Sequence, residues 1–246
     1  MSKLGDRIRR SGKVEPAPLG FAPASRTASV SMLVVADVGN DAGKIADAVK
    51  KGADVVTWEG DAAALRKAKL PDGLILGVKA SGAGREEAAA LREAGADFLI
   101  VDTDSRGEAL LDEKLGFVMS IDDSSQLEDN RLRLMGELSL DALLIDSPGA
   151  PLSVSDVMEL RRLAALTRVP LLVRLDPAID AGALQLLRES GAIGVVADSA
   201  GKLTDLRKTV ESLPDRGRKR DDKSDALVPA STSAGSHDHD DDDFDD

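Results

Sequence analysis

Short aliphatic runs alternate with helix-period segments eight times along this chain, and few architectures accept that pattern. The runs predict strands at Met32–Asp37, Asp54–Glu59, Gly73–Lys79, Asp97–Asp102, Gly116–Asp122, Asp141–Asp146, Pro170–Asp176 and Ile193–Asp198. Between them, apolar residues recur at three- and four-residue spacing. Leu127, Leu134 and Leu138, interrupted by Arg131, mark the expected inner face of one helix, and Leu203, Leu206, Val210 and Leu213 that of another. Strand–helix alternation of this kind implies right-handed crossovers and a parallel sheet.

A repeat points to closure. Gly52-Ala53-Asp54, Gly95-Ala96-Asp97 and Gly191-Ala192-Ile193 lead into the second, fourth and eighth strands, while Leu140-Asp141-Ala142 opens the sixth without the glycine. The glycine suits the left-handed position that ends a preceding helix. Steps of 43 and 44 residues separate Asp54, Asp97 and Asp141, so the chain reads as four strand–helix–strand–helix units. The fold class is α/β, a single compact (βα)8 barrel over residues 31–214. Roughly 185 residues is short for such a barrel, which leaves brief loops and no lid domain.

Residues 1–30 form a basic arm. Lys3 to Arg10 suits a short helix with Leu4 and Ile8 on one side, ended by the prolines of Glu15-Pro16-Ala17-Pro18; the arm is expected to lie across the barrel floor. Residues 215–246 are polar and end in a run of aspartates, the composition of a disordered acidic tail. Either end offers a site for a protein partner, the arm by its basic charge and the tail by its acidic charge.

Composition removes several classes of function. The chain has no Cys and no Tyr, one Trp, and its two His residues, His237 and His239, lie in the tail. Thiolate chemistry, Cys-bound metal and a core catalytic histidine are excluded. A net charge of −12 opposes nucleic acid as a partner. No apolar run spans a bilayer and no signal core opens the chain, so a cytoplasmic protein without membrane contact is expected.

Side chains alternate along a strand. One parity is apolar throughout, as in Val34, Val56, Trp58, Leu99, Leu143 and Val173, and must meet the helices. The other parity points into the barrel. Its carboxyl-end positions are Asp37, Glu59, Lys79, Asp102, Asp122, Asp146, Asp176 and Asp198, with Arg174 expected one layer beneath. That end is where barrel enzymes place their chemistry. An aspartate at a strand end also caps turns, so each carboxylate has a structural alternative, strongest for Asp37, Asp122 and Asp176.

The whole barrel resembles the aldolase-type TIM barrels, in particular their phosphate-binding and flavin-linked branch. Gly77-Val78-Lys79-Ala80-Ser81-Gly82 followed by Glu93-Ala94-Gly95-Ala96-Asp97-Phe98 is similar to a region of nitronate monooxygenases, and Leu186 to Val196 resembles the approach to their eighth strand. Where those families place glycines around a phosphate, this chain has Pro177-Ala178-Ile179 behind Asp176, and Asp198-Ser199. Aspartate repels phosphate, so neither phosphosugar nor flavin mononucleotide is expected there. Asp37, Glu59 and Lys79 are similar in order to the acid, acid and lysine of orotidine- and ketogulonate-phosphate decarboxylases.

Three functions fit these observations. One is a lyase of decarboxylase or aldolase type acting on a small-molecule acid. Asp37, Glu59, Lys79 and Arg174 would then be its catalytic groups, and Mg²⁺ or Mn²⁺ would be held by Asp102, Asp146 and Asp198. Another is a barrel without catalysis, serving as scaffold or interaction protein. The third, a flavin-dependent oxidoreductase, is disfavoured by Asp198.

Overall fold

Strands begin where the aliphatic, β-branched runs begin and stop where charge or glycine interrupts them. The computed structural model describes residues 2–12, 32–80, 82–175, 179–198 and 203–214. Its strands are β1 (Leu33–Asp37), β2 (Val55–Glu59), β3 (Leu76–Lys79), β4 (Phe98–Val101), β5 (Gly116–Ile121), β6 (Ala142–Asp146), β7 (Leu171–Arg174) and β8 (Ala192–Asp198). Each strand pairs in parallel with the next, and β8 pairs with β1, so the eight close into a barrel. The expected boundaries hold to within three residues. The largest shift is at β3, where the Pro71-Asp72-Gly73 turn delays the strand to Leu76.

The α-helices are α1 (Lys3–Gly12), α2 (Ile45–Lys50), α3 (Ala62–Lys67), α4 (Arg85–Glu93), α5 (Asp129–Gly136), α6 (Val154–Thr167), α7 (Ala181–Glu189) and α8 (Leu203–Ser212). A 3-10 turn, Gly107–Leu111, rather than an α-helix, joins β4 to β5. Gly52, Gly95 and Gly191 take φ of +97°, +110° and +114°, the left-handed conformation that the repeat required. Positions 13–31, 176–178 and 215–246, which include most of the basic arm, Asp176 and the acidic tail, lie outside the described residues.

Two apolar cores follow the strand parity. Val34, Val56, Trp58, Leu99, Leu143 and Val173 pack under the helices. Leu33, Val35, Val55, Phe98, Ile100, Val118, Leu144, Leu172 and Val196 fill the barrel itself. Phe98 owes its place to Gly77, because a Cβ on Gly77 would overlap the Phe98 ring. The α8 face is as expected, with Leu203, Val210 and Leu213 buried. The α5 face is not. Leu134 and Leu138 are exposed and the helix buries Leu132 and Met135 instead. Leu127 precedes the helix, which starts at Asp129, so the spacing that linked Leu127 to Leu134 crosses a boundary and carries no helical phase.

The floor is closed by α1. Leu4 and Ile8 join the interior core, 0% and 6% exposed. Three carboxylates of the repeat hold the helix there. Asp97 accepts from the backbone amides of Lys3 and Leu4, both at 2.9 Å. The Ser2 hydroxyl accepts from the Gly5 amide and donates to Asp141 at 2.5 Å. Asp54 pairs with Arg7 at 2.9 Å and with Arg207 of α8 at 2.7 Å. Free amides at a helix start seek acceptors, and a carboxylate there also meets the positive end of the dipole. Side chains on Gly5 or Gly116 would collide with the Asp141 carboxylate. On the eighth strand the repeat carries Ile193, which packs into the interior core alongside Leu4.

Leu4→Ala should destabilise the protein by about 2–5 kcal/mol, the range for emptying a fully buried leucine site, seen as a lower denaturant midpoint. Asp141 behaves oppositely. Burial raises its carboxyl above the ordinary value, Ser2 opposes the rise and the nearby Asp97 adds to it. A raised carboxyl favours the fold when protonated and loses that contribution as pH rises through its folded value. Asp141→Asn should therefore raise the melting temperature at pH 7, and the gain should vanish on acidification below the ordinary carboxylate range. A loss of stability at pH 7 would contradict this.

Candidate active site

Strand register fixes which mouth residues share a level. Asp37 pairs with Thr57 and Thr57 with Gly77. In an eight-stranded barrel the strands tilt, and the residue level with Asp37 two strands on lies two positions further, at Lys79. From Lys79 the same step through Ile100 and Val118 reaches Ser120. Passing Leu144 and Leu172 it reaches Arg174, and passing Val196 and Val35 it returns to Asp37. Asp37, Lys79, Ser120 and Arg174 thus make one layer of four, contributed by the odd strands. The even strands place Glu59, Asp102, Asp146 and Asp198 in the layer above.

This corrects the flat ring expected from the sequence. Asp37 and Lys79 drop to the level of Arg174, because shear staggers odd strands against even ones. Asp122 lies beyond the end of β5 and is exposed. Asp176 and the side chain of Asp198 fall outside the described residues.

Two cations therefore stand on β3 and β7, half a turn of the barrel apart. Each has an acid beside it in register, Glu59 next to Lys79 and Asp146 next to Arg174. Arg174 Nε lies 3.7 Å from Asp146 Oδ1, with the side chains 44% and 59% exposed. An ion pair that open contributes little stability and leaves most of the guanidinium available to a ligand. Ser120, half-buried, shares the layer of Lys79 and Arg174, and Thr57, buried, lies beneath. Below that the interior is apolar and filled.

The other acids are tied into turns. Asp37 accepts from the Gly39 amide at 3.0 Å. Asp102 accepts from the Ser105 hydroxyl at 2.8 Å and from the Asp104 amide at 3.1 Å. The Ser105 hydrogen bond is the main reason that the Asp102 carboxyl lies below its ordinary value, with backbone amides assisting and burial opposing. Ser105 had a sequence signal that went unread, an Asp followed three residues later by Ser at a strand end. Among the described residues, which do not include the Asp198 side chain, no group of three acidic or histidine side chains is placed to hold an ion.

No family model matches the sequence, and neither does any curated protein. The backbone is similar to tryptophan synthase alpha-subunits from the hyperthermophile Pyrococcus furiosus. A structure described as the basis of mutual activation of the tryptophan synthase α2β2 complex matches with TM-score 0.57 and 16% identity, over 75% of this chain and 98% of that one. A mutant alpha-subunit matches with TM-score 0.56 and 14% identity, over 74% and 97%. The fold is that of a TIM barrel. No helix among the described residues is long and apolar enough to cross a membrane.

Ser105→Ala should move the Asp102 carboxyl up toward its ordinary value, read by NMR titration. A lowered carboxyl stabilises the fold above its unfolded value and loses that contribution as pH falls through the folded one. The variant should accordingly show a weaker dependence of stability on pH in the acid range.

Proposed function

We propose that this barrel is a lyase of aldolase or decarboxylase type that works by acid–base chemistry on a small organic acid. The observation that carries the proposal is the pair of acid–cation couples facing each other across the mouth, Glu59–Lys79 and Asp146–Arg174. Arg174 is suited to fork a substrate carboxylate, with Asp146 holding it in place. On the opposite wall Glu59 takes the hydroxyl proton of a β-hydroxy acid. The carbon–carbon bond breaks, its electron pair stays with the acid fragment, and the Lys79 ammonium protonates that carbon. With Glu59 beside it in register, Lys79 is assigned the role of acid rather than of amine nucleophile. The likeness to tryptophan synthase alpha-subunits supports this reading at the level of architecture only.

One observation favours a non-catalytic scaffold as the second reading: Asp37 and Asp102 serve as turn caps. Thermal-shift titration with a panel of hydroxy and keto acids separates the two. At least one acid should raise the melting temperature, and Arg174→Met should abolish the rise. Glu59→Gln and Lys79→Met should keep binding and slow turnover by roughly a hundredfold or more, the scale of a lost general acid or base. Repeating the panel with Mg²⁺ or Mn²⁺ shows whether the carboxylate layer recruits a cation. Absence of any acid-dependent shift, with or without metal, leaves the scaffold reading.

A further inference from the structure

The outer side of α6 combines exposed apolar side chains with exposed arginines. Val154 and Met158 are 77% and 66% exposed, one helical turn apart on the same stripe. Across from them on α7, Leu186 is 44% exposed and borders an open groove of about 490 Å³. Ala150, Pro151, Leu152 and Ala183 form the rest of its apolar wall. The one acid among its described lining residues, Asp180, is committed to capping α7, accepting from the Ala183 amide at 2.8 Å. Large apolar side chains gathered beside a groove mark a contact surface rather than scattered exposure.

The lower part of the same stripe is basic. Arg161 follows Met158 by three residues, and Arg168 ends the helix; both are exposed. The acids that would neutralise them are engaged elsewhere. Arg162 holds Asp129 at 2.7 Å and Glu159 at 3.0 Å, and Asp156 is bound within the capping box of Ser153. Glu128 and Glu137, at the two ends of α5, are the acids that remain nearby. This basic strip sits on a domain with 31 Asp and Glu against 21 Lys and Arg between Met32 and Pro214.

We propose that the α6 stripe and the groove between α7 and the Ala150–Leu152 loop form a docking surface for an acidic segment of a partner protein. Apolar side chains of that segment would enter the groove beside Leu186, and its carboxylates would meet Arg161 and Arg168. Arg and Met are enriched at such interfaces, and a local positive field on a negative protein selects an acidic partner. A second copy of this chain is a poor occupant, since each copy carries a net charge of −12. The surface lies on the helical exterior and does not rest on the chemistry proposed for the mouth.

Selection of random 12-residue peptides displayed on phage against the full-length protein tests this. Enriched peptides should combine Asp or Glu with a large apolar residue. A synthetic copy should bind, and bind less tightly as salt rises. Arg161→Glu with Arg168→Glu, and separately Met158→Ser, should each weaken it by about tenfold or more, the scale of a lost anchor. Melting temperatures should stay near wild type, because none of these side chains is buried. Four results would overturn the proposal. No peptide is enriched, or the enriched peptides lack acids, or they bind the variants as tightly as wild type. In the fourth, the protein dimerises and Met158→Ser returns it to monomer, or it sediments with anionic lipid vesicles through the same arginines.

Discussion

Closing eight parallel strands into a ring removes both sheet edges and leaves two open ends that must be treated separately. The interior between them is apolar, fixed in layers by the register, with Phe98 lying over Gly77. Water must be kept out of that interior from below and admitted only from above. The carboxyl-rich ends of the strands meet these two demands with the same chemistry put to opposite uses.

At the floor the carboxylates are consumed. Asp97 and Asp141 cap α1, directly or through Ser2, and Asp54 joins α1 to α8 through two arginines. Their oxygens are committed to helix amides, a hydroxyl and guanidinium groups, and Asp54 and Asp141 are largely buried as a result. At the mouth the acids either cap exposed turns, as Asp37 and Asp102 do, or stand beside a cation, as Glu59 and Asp146 do. In the first group the capping bonds engage Oδ1, while the second stands beside a cation that a ligand could share. Number of acids is therefore a poor guide to a site here; the partner of each acid decides.

Much of this was legible before any coordinates. Alternation by two along each run separated helix-facing from barrel-facing residues correctly, since a one-residue slip would have buried charge under helices. The 43- and 44-residue steps located Asp54, Asp97 and Asp141 but gave no sign of their role, because their partners lie in α1, far away in sequence. Shear was hidden for a related reason. It is a property of neighbouring strands, so the level of Lys79 against Arg174 could not be counted along one run. The α5 face was misjudged because leucine spacing was followed across a helix start that only the Glu128 to Asp129 backbone reveals.

That misjudged face and the mouth share a physical logic. A residue that stabilises the fold is covered or paired, and Leu132 and Met135 meet that condition on α5. Leu134, Val154 and Met158 do not, and at the mouth Lys79 is exposed and Arg174 is held only in an open pair with Asp146. Exposed apolar area and loosely paired charge each forgo free energy that a purely structural sequence would recover by a polar surface or a tighter pair. The loosely paired charge at one end of the barrel and the exposed apolar side chains of its outer helices, set against a floor of committed carboxylates and two filled apolar cores, separate the parts of this chain that hold it together from those open to other molecules.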